Sequence, residues 1–324
     1  MARGRARAVE AFMKHTGSHI TLRHDLAALP FLVPFFAVFL VFIAYPIIYS
    51  LWLSVHQVTI FSDFYDTFGT MTYVGLENYT RILTSVQFWW AVAATFIYAV
   101  LTIVPGIALS LFLALMLNRA LMGFGLMRSG FFLPHVFDIY VVGIVWLLLY
   151  YPGSGLVSQF IATLGAAETA RDGVLDNPYL TLPAITAAMV LKNAGFGMIL
   201  FLVTLNNINP SIMEAADVDG AGKGQKLLYV TLPLLRPIIL FLVVTGTVGA
   251  INAFAEIYAM TDDTGGVPVE MAGETVQSAR TGGYHLFKTF DEGRYGEAAA
   301  VSFVFMLFAL VISYVNFRLL RSSD

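Results

Sequence analysis

Residues 214–225 read Glu-Ala-Ala-Asp-Val-Asp-Gly-Ala-Gly-Lys-Gly-Gln. This small, charged, glycine-rich stretch lies between two long apolar runs, and Glu214, Asp217, Asp219, Lys223 and Lys226 crowd around it. It has the look of a phosphate-binding loop, but the pattern fails. A G-x-x-x-x-G-K-[ST] loop ending in Lys223 needs glycine where Asp217 stands and Ser or Thr where Gly224 stands. A G-x-G-x-x-G fingerprint needs glycine at Gln225. The better reading is a short surface helix, a glycine break and a second helix. Asn209-Pro210 closes the preceding run, and Ser211 with Glu214 three residues on has the form of a capping box. Gly220 and Gly222 suit the left-handed conformation that ends helices. The small residues Ala215, Ala216, Gly220 and Ala221 leave room for another protein's backbone. An ordinary connector between two runs fits the same residues.

Outward from this island the chain is apolar. Of its 324 residues 58% are hydrophobic and 12% charged, about half the ~25% charge of a soluble domain. Lipid is therefore the expected solvent for much of the surface. The net charge of −3 gives no reason to expect nucleic acid, the absence of cysteine excludes disulfides and thiolate metal sites, and the six histidines show no metal-ligand spacing. A bilayer-crossing helix needs about 20 mainly apolar residues. Six segments qualify, near 29–55, 88–117, 126–150, 180–206, 232–260 and 298–320. The fold class is all-α: a polytopic membrane protein with six transmembrane helices and the island between the fourth and fifth. Residues 29–324 form the transmembrane domain, and residues 1–28 a basic segment at the membrane surface or a plain tail. The first apolar run is too long for the ~7–15-residue core of a signal peptide.

Basic residues set the orientation. With the N-terminus in the cytoplasm, the inner segments hold twelve of the eighteen Lys and Arg, the outer segments five, and Lys192 lies in a span. The positive-inside rule then places both termini and the island in the cytoplasm.

The island and its surroundings also resemble a known family. Glu214-Ala-Ala, Gly220 six positions later, and Val230-x-Leu-Pro233 after nine intervening residues match the "EAA" loop, EAA-x3-G-x9-[IV]-x-LP. That loop marks the permease subunits of binding-protein-dependent ABC importers. Asp219-Gly-Ala221, Thr231-Leu-Pro-Leu-Leu, Thr264-Gly-Gly-Val-Pro268 and Phe132-Leu-Pro134 leading to Trp146 resemble the carbohydrate branch, the maltose-type and glycerol-phosphate-type permeases. Val267 departs from the family's third glycine, and Asp262-Asp263 stands just before that motif. The resemblance implies that the island is a coupling helix seated in a cleft of an ATPase subunit. Glu214 is then the charged contact, Ala215, Ala216 and Asp219 lie beside it, and Gly220 permits the turn. It also implies a bacterial or archaeal inner membrane, a second homologous permease, a dimer of ATPase subunits that binds the ATP, and an extracellular or periplasmic solute-binding protein. The chain itself needs no cofactor and is no enzyme.

Ionisable groups within a span are costly and ask for a reason. Asp138 lies ten residues past Arg128, ~15 Å along a helix, and Lys192 fourteen before Asn206, ~21 Å from the same side. The two depths allow an ion pair, with Asn193, Asn252 and Glu256 nearby. The functional reading is a solute path lined by Asp138, Lys192, Asn193, Phe196, Asn252, Glu256 and Tyr258, amides, carboxylates and aromatic faces that suit sugars. The plainer reading is a structural pair or side chains that snorkel. A phosphorylated polyol is the alternative solute, and it calls for more basic groups than Lys192. An ion-coupled secondary transporter leaves the island unexplained and calls for an internal repeat that is not evident. An intramembrane enzyme calls for a metal-ligand pair, a nucleophile motif or paired carboxylates, none of which the spans carry.

Overall fold

The computed structural model describes residues 32–63, 71–118 and 123–321. The basic segment 1–28 lies outside them. The chain falls into two units, residues 1–52 and 53–324. Helix α1 (Leu32–Ser54) supplies the described part of the first and runs on to the start of the second. It is apolar throughout, and its backbone widens to a π-helix over Leu40–Ala44, just before Pro46.

The second unit is helical with two short hairpins. Strands β1 (His56–Gln57) and β2 (Thr72–Tyr73) pair ahead of α2 (Glu77–Thr84) and the 32-residue α3 (Val86–Leu117). Then come α4 (Phe124–Val136), α5 (Ile139–Leu149), α6 (Leu156–Thr163), α7 (Ala167–Asp172), α8 (Thr181–Asn206) and α9 (Pro210–Val218). Helix α10 runs from Lys223 to Ile251. After it stand α11 (Ala255–Met260), the hairpin β3 (Pro268–Met271) and β4 (Glu274–Gln277), α12 (Gly282–Asp291) and α13 (Tyr295–Arg321). Five helices among the described residues are long and apolar enough to cross a membrane, and the bent pair α4–α5 makes six if it counts as one span.

Helix α8 is the hub. Its buried residues include Ala184, Ala188, Ala194, Gly195 and Gly197, small side chains that let helix backbones approach in the absence of a hydrophobic drive between helices. A Cβ on Gly195 would lie 1.9 Å from the Phe131 carbonyl oxygen of α4, and one on Gly197 2.4 Å from the Ser110 hydroxyl of α3. Ser110 in turn donates to the Ala194 carbonyl at 3.0 Å. Two apolar clusters flank this seam, one around Leu113, Met198, Phe201 and Leu235, the other around Tyr98, Ile185, Met189 and Ile257.

Two of the expected spans are corrected. The third, 126–150, is not one helix: α4 and α5 meet at 101° across Phe137 and Asp138. Both residues are extended, and the Asp138 carboxylate accepts from the Tyr140 N–H at 2.9 Å, restarting the helix as an N-cap. The fifth, 232–260, begins earlier and ends earlier. It continues back through a π-helical stretch at Lys226–Thr231 to Lys223 and stops at Ile251. Asn252–Phe254 breaks it before α11.

Candidate functional site

The two breaks meet. Restart helices α5 and α11 pack so closely that a Cβ on Gly143 would lie 2.7 Å from that of Ala259. Beside them, between α3, α4, α8 and α10, is a cavity of about 310 Å³. Most hydroxyls on its wall are already spent on backbone: Thr102 donates to the Tyr98 carbonyl, Ser110 to Ala194 and Thr245 to Phe241. What remains polar is concentrated at the breaks. The His135 ring stacks on Phe196 at 4.6 Å, and its Nδ1 lies 3.2 Å from Asn193 Oδ1. Glu256, in the first turn of α11 and 4% exposed, accepts from the Tyr98 hydroxyl at 2.5 Å.

Of the expected path residues, Asn193, Phe196 and Glu256 lie on the cavity wall. Asp138 and Lys192 sit at the first break, but no ion pair joins them among the described residues. Lys192 is buried, and its ammonium donates to the His135 carbonyl at 3.4 Å, in the last turn of α4. Asp138 instead caps the start of α5. The cation thus serves the negative end of one half-helix and the anion the positive end of the next, as the helix dipole favours. Asn252 and Tyr258 are off the cavity wall. Asn252 donates to the Val248 carbonyl at 2.8 Å within the second break, and Tyr258 packs against Phe254, Phe287 and Tyr140. Tyr98 is the residue that sequence reasoning missed. It is 158 positions from Glu256, and among 15 tyrosines nothing local marks it.

The second break is braced by the segment that follows the β3–β4 hairpin. Thr281 donates to the Ala253 carbonyl at 2.6 Å, and Gly283 lies so close to Asn252 and Ala253 that a Cβ would stand 2.8 Å from their backbone. In the same helix, α12, burial and the nearby Arg280 and Arg294 push His285 down to about 3. The neutral ring accepts from Arg280 Nε at 2.8 Å. Asp263 holds Lys288 charged through a 2.9 Å contact, which raises the lysine above its usual value. Farther along, Glu297 accepts from both Arg81 and Arg294 and ties α2 to α13.

The other candidate region is α9. Its N-cap is Asn209, whose side chain accepts from the Ser211 N–H at 3.1 Å, with Pro210 in the first turn. The capping box expected of Ser211 and Glu214 does not form. Gly220 is left-handed at φ +72° and closes the helix with two crossed bonds, Gly220 N–H to the Asp217 carbonyl and Ala221 N–H to that of Ala216. Gly222 is extended rather than left-handed, and its N–H donates to the Gln225 side chain as α10 begins. Ala216 is buried, whereas Glu214, Ala215 and Asp219 are exposed. An Asp217–Lys226 ion pair joins α9 to the foot of α10.

Comparison with known proteins decides the family. No family model matches the chain. It is 31% identical over 299 residues to a probable ABC transporter permease of Sinorhizobium fredii, covering 91% of this chain and 90% of that protein. The chain belongs to the ABC transporter permeases. The permease is also 31% identical to the lactose transport system permease LacF of Rhizobium radiobacter, over 92% of its own length and 95% of that protein's. It is 30% identical to the trehalose/maltose transport system permease MalF of Thermococcus litoralis, over 87% and 89%. Its fold matches a chain in the crystal structure of a bacterial ABC transporter involved in import of the acidic polysaccharide alginate, with a TM-score of 0.74 at 22% identity, over 94% of this chain and 98% of that one.

Proposed function

We propose that this permease is one of two membrane subunits of an ATP-driven importer that moves a sugar or sugar-like solute into the cytoplasm. Helix α9 is its coupling helix, and the cavity at the two breaks is its share of the solute path. Both termini lie in the cytoplasm, and residues 1–28 form a segment separate from the transmembrane domain. The relatives are named for lactose, trehalose/maltose and sn-glycerol-3-phosphate. A second structure of the alginate transporter holds a pentasaccharide-bound periplasmic protein, which supports an outer solute-binding protein as a partner here. The ATP would sit on partner ATPase subunits.

The observation that carries the reading is the shape of α9. It ends in a glycine whose torsion is required, presents Glu214 to solvent, and is flanked by exposed apolar side chains at Val218 and Tyr229, which are 88% and 76% exposed. A short helix with a charged contact and an uncovered apolar rim fits the cleft of a second protein. An open space surrounds Gly220, so its requirement is torsional rather than steric. Gly220→Val and Glu214→Lys are each expected to cut uptake at least ~10-fold in the assembled importer, whereas Gly220→Asn, which tolerates the left-handed region, retains most of it. Full uptake in both damaging variants would remove α9 from the coupling role.

A further inference from the structure

We infer that Glu256 makes this permease selective against anionic solutes, so that its half of the path accepts neutral polyhydroxy compounds and rejects phosphorylated or uronic ones. The inference rests on the cavity being the solute path. Among the described residues Glu256 carries the one carboxylate on the cavity wall, and no Lys or Arg lines it. The Tyr98 hydroxyl donates to the Glu256 carboxylate at 2.5 Å. The nearest cation, Lys192, is off the wall and donates to the His135 carbonyl. Asp138 stands at the same break with a second negative charge. An entering phosphate or uronate therefore meets a carboxylate in a low-dielectric wall, with no guanidinium or ammonium to receive it. A neutral sugar ring meets instead the Phe196 and His135 faces, the Asn193 amide and carboxylate acceptors for its hydroxyls.

The purified importer complex, without its solute-binding protein, is titrated with lactose, trehalose, maltose, sn-glycerol 3-phosphate and an alginate trisaccharide, and affinity is read calorimetrically. At least one neutral sugar is expected to bind ~10-fold or more tightly than either anion, a gap consistent with one like charge at close range. Glu256→Gln should shrink that gap to ~3-fold or less, and Asn193→Asp, which adds a carboxylate at the wall, should widen it by a similar factor. Asn193→Asp decides alone if the glutamine variant fails to assemble. Equal affinity of the wild type for neutral and anionic solutes overturns the inference, as does a gap that neither variant moves. Phe196→Ala separates the two readings. If it weakens sugar binding while neither charge variant moves the gap, only charge selection falls. If it changes no affinity, or if none of the five solutes binds, the cavity is not a sugar path and both fall.

Discussion

Helices α3 and α8 run from end to end, whereas α4–α5 and α10–α11 stop and restart at one place. Proline does not explain the difference. Pro105 lies in the middle of α3 and Pro183 in the first turn of α8, yet neither helix breaks. Pro134 lies in the last turn of α4, and the break beside it is finished by other groups: Asp138 on the new N-terminus and Lys192 on the old C-terminus. The second break has no proline at all. There Thr281 donates to the Ala253 carbonyl, and the Asn252 side chain adds a second donor to that of Val248. A helix in an apolar surrounding breaks where outside groups satisfy the backbone it releases, and each break brings one polar residue to the cavity wall, His135 at the first and Glu256 at the second. The straight pair supplies a rigid wall that carries Tyr98 and Asn193, and the broken pair adds His135 and Glu256.

The comparison can be broken most severely at the straight helix. Gly195→Val would drive a side chain into the Phe131 carbonyl, a backbone atom that cannot rotate aside. We expect loss of the assembled permease from detergent extracts, while Gly249→Ala, where no atom lies within 4 Å of an added Cβ, leaves its yield unchanged. Recovery of the valine variant at wild-type yield would show that α4 and α8 are not in backbone contact.

At the first break, Lys192→Met is expected to cost ~1–3 kcal/mol, because it leaves the His135 carbonyl without its donor. Asp138→Ala should cost ~1 kcal/mol, the usual loss for an N-cap, and Asp138→Ser should recover most of it. Thermal unfolding of the purified complex ranks the three. Failure of serine to rescue would mean that Asp138 acts through charge rather than as a cap.

The smallest effect concerns the brace on the second break. His285 is neutral in the folded protein and titrates near 3, below its ordinary value of 6.5. The unfolded state therefore binds the extra proton first. Stability from this site is complete above about pH 6.5 and declines as pH falls toward 3. Protection from hydrogen exchange in residues 281–291, taken relative to the intrinsic rate at each pH, should fall over that window, and His285→Asn, which keeps an acceptor for Arg280, should flatten the response. An unchanged pH profile in the variant would assign the acid sensitivity elsewhere.

The apolar spans, the helical class and the island were legible because length and composition alone carry them. The start of α8 at Thr181 and the end of α3 at Leu117 fall within a residue of the expected limits. The breaks were not legible. From Phe124 to Tyr150 the composition stays apolar, and the same proline signal that marks α4 also marks α3, which stays whole. What decides lies far away in sequence: Lys192 is 57 residues from His135, and Thr281 is 28 from Ala253. The site was legible in part for the same reason. Asn193, Phe196 and Glu256 are polar or aromatic residues in spans and attract notice by themselves, whereas Tyr98 gains its meaning from a partner on another helix. Asp138 and Lys192 do meet at one break, but sequence spacing cannot distinguish an ion pair from two caps.

The unbroken course of α10 has a mechanical consequence. Its 29 residues make a rod of ~44 Å at 1.5 Å per residue. One end is clamped to α9 by the Asp217–Lys226 pair, and the far third carries Thr245, Gly249 and Ala250 on the cavity wall. A tilt of ~10° about either end sweeps the other through ~8 Å, given that length. A sphere with the volume of the cavity is also ~8 Å across. As a lever, the rod converts a small rotation at the island into a displacement as wide as the chamber at its far end.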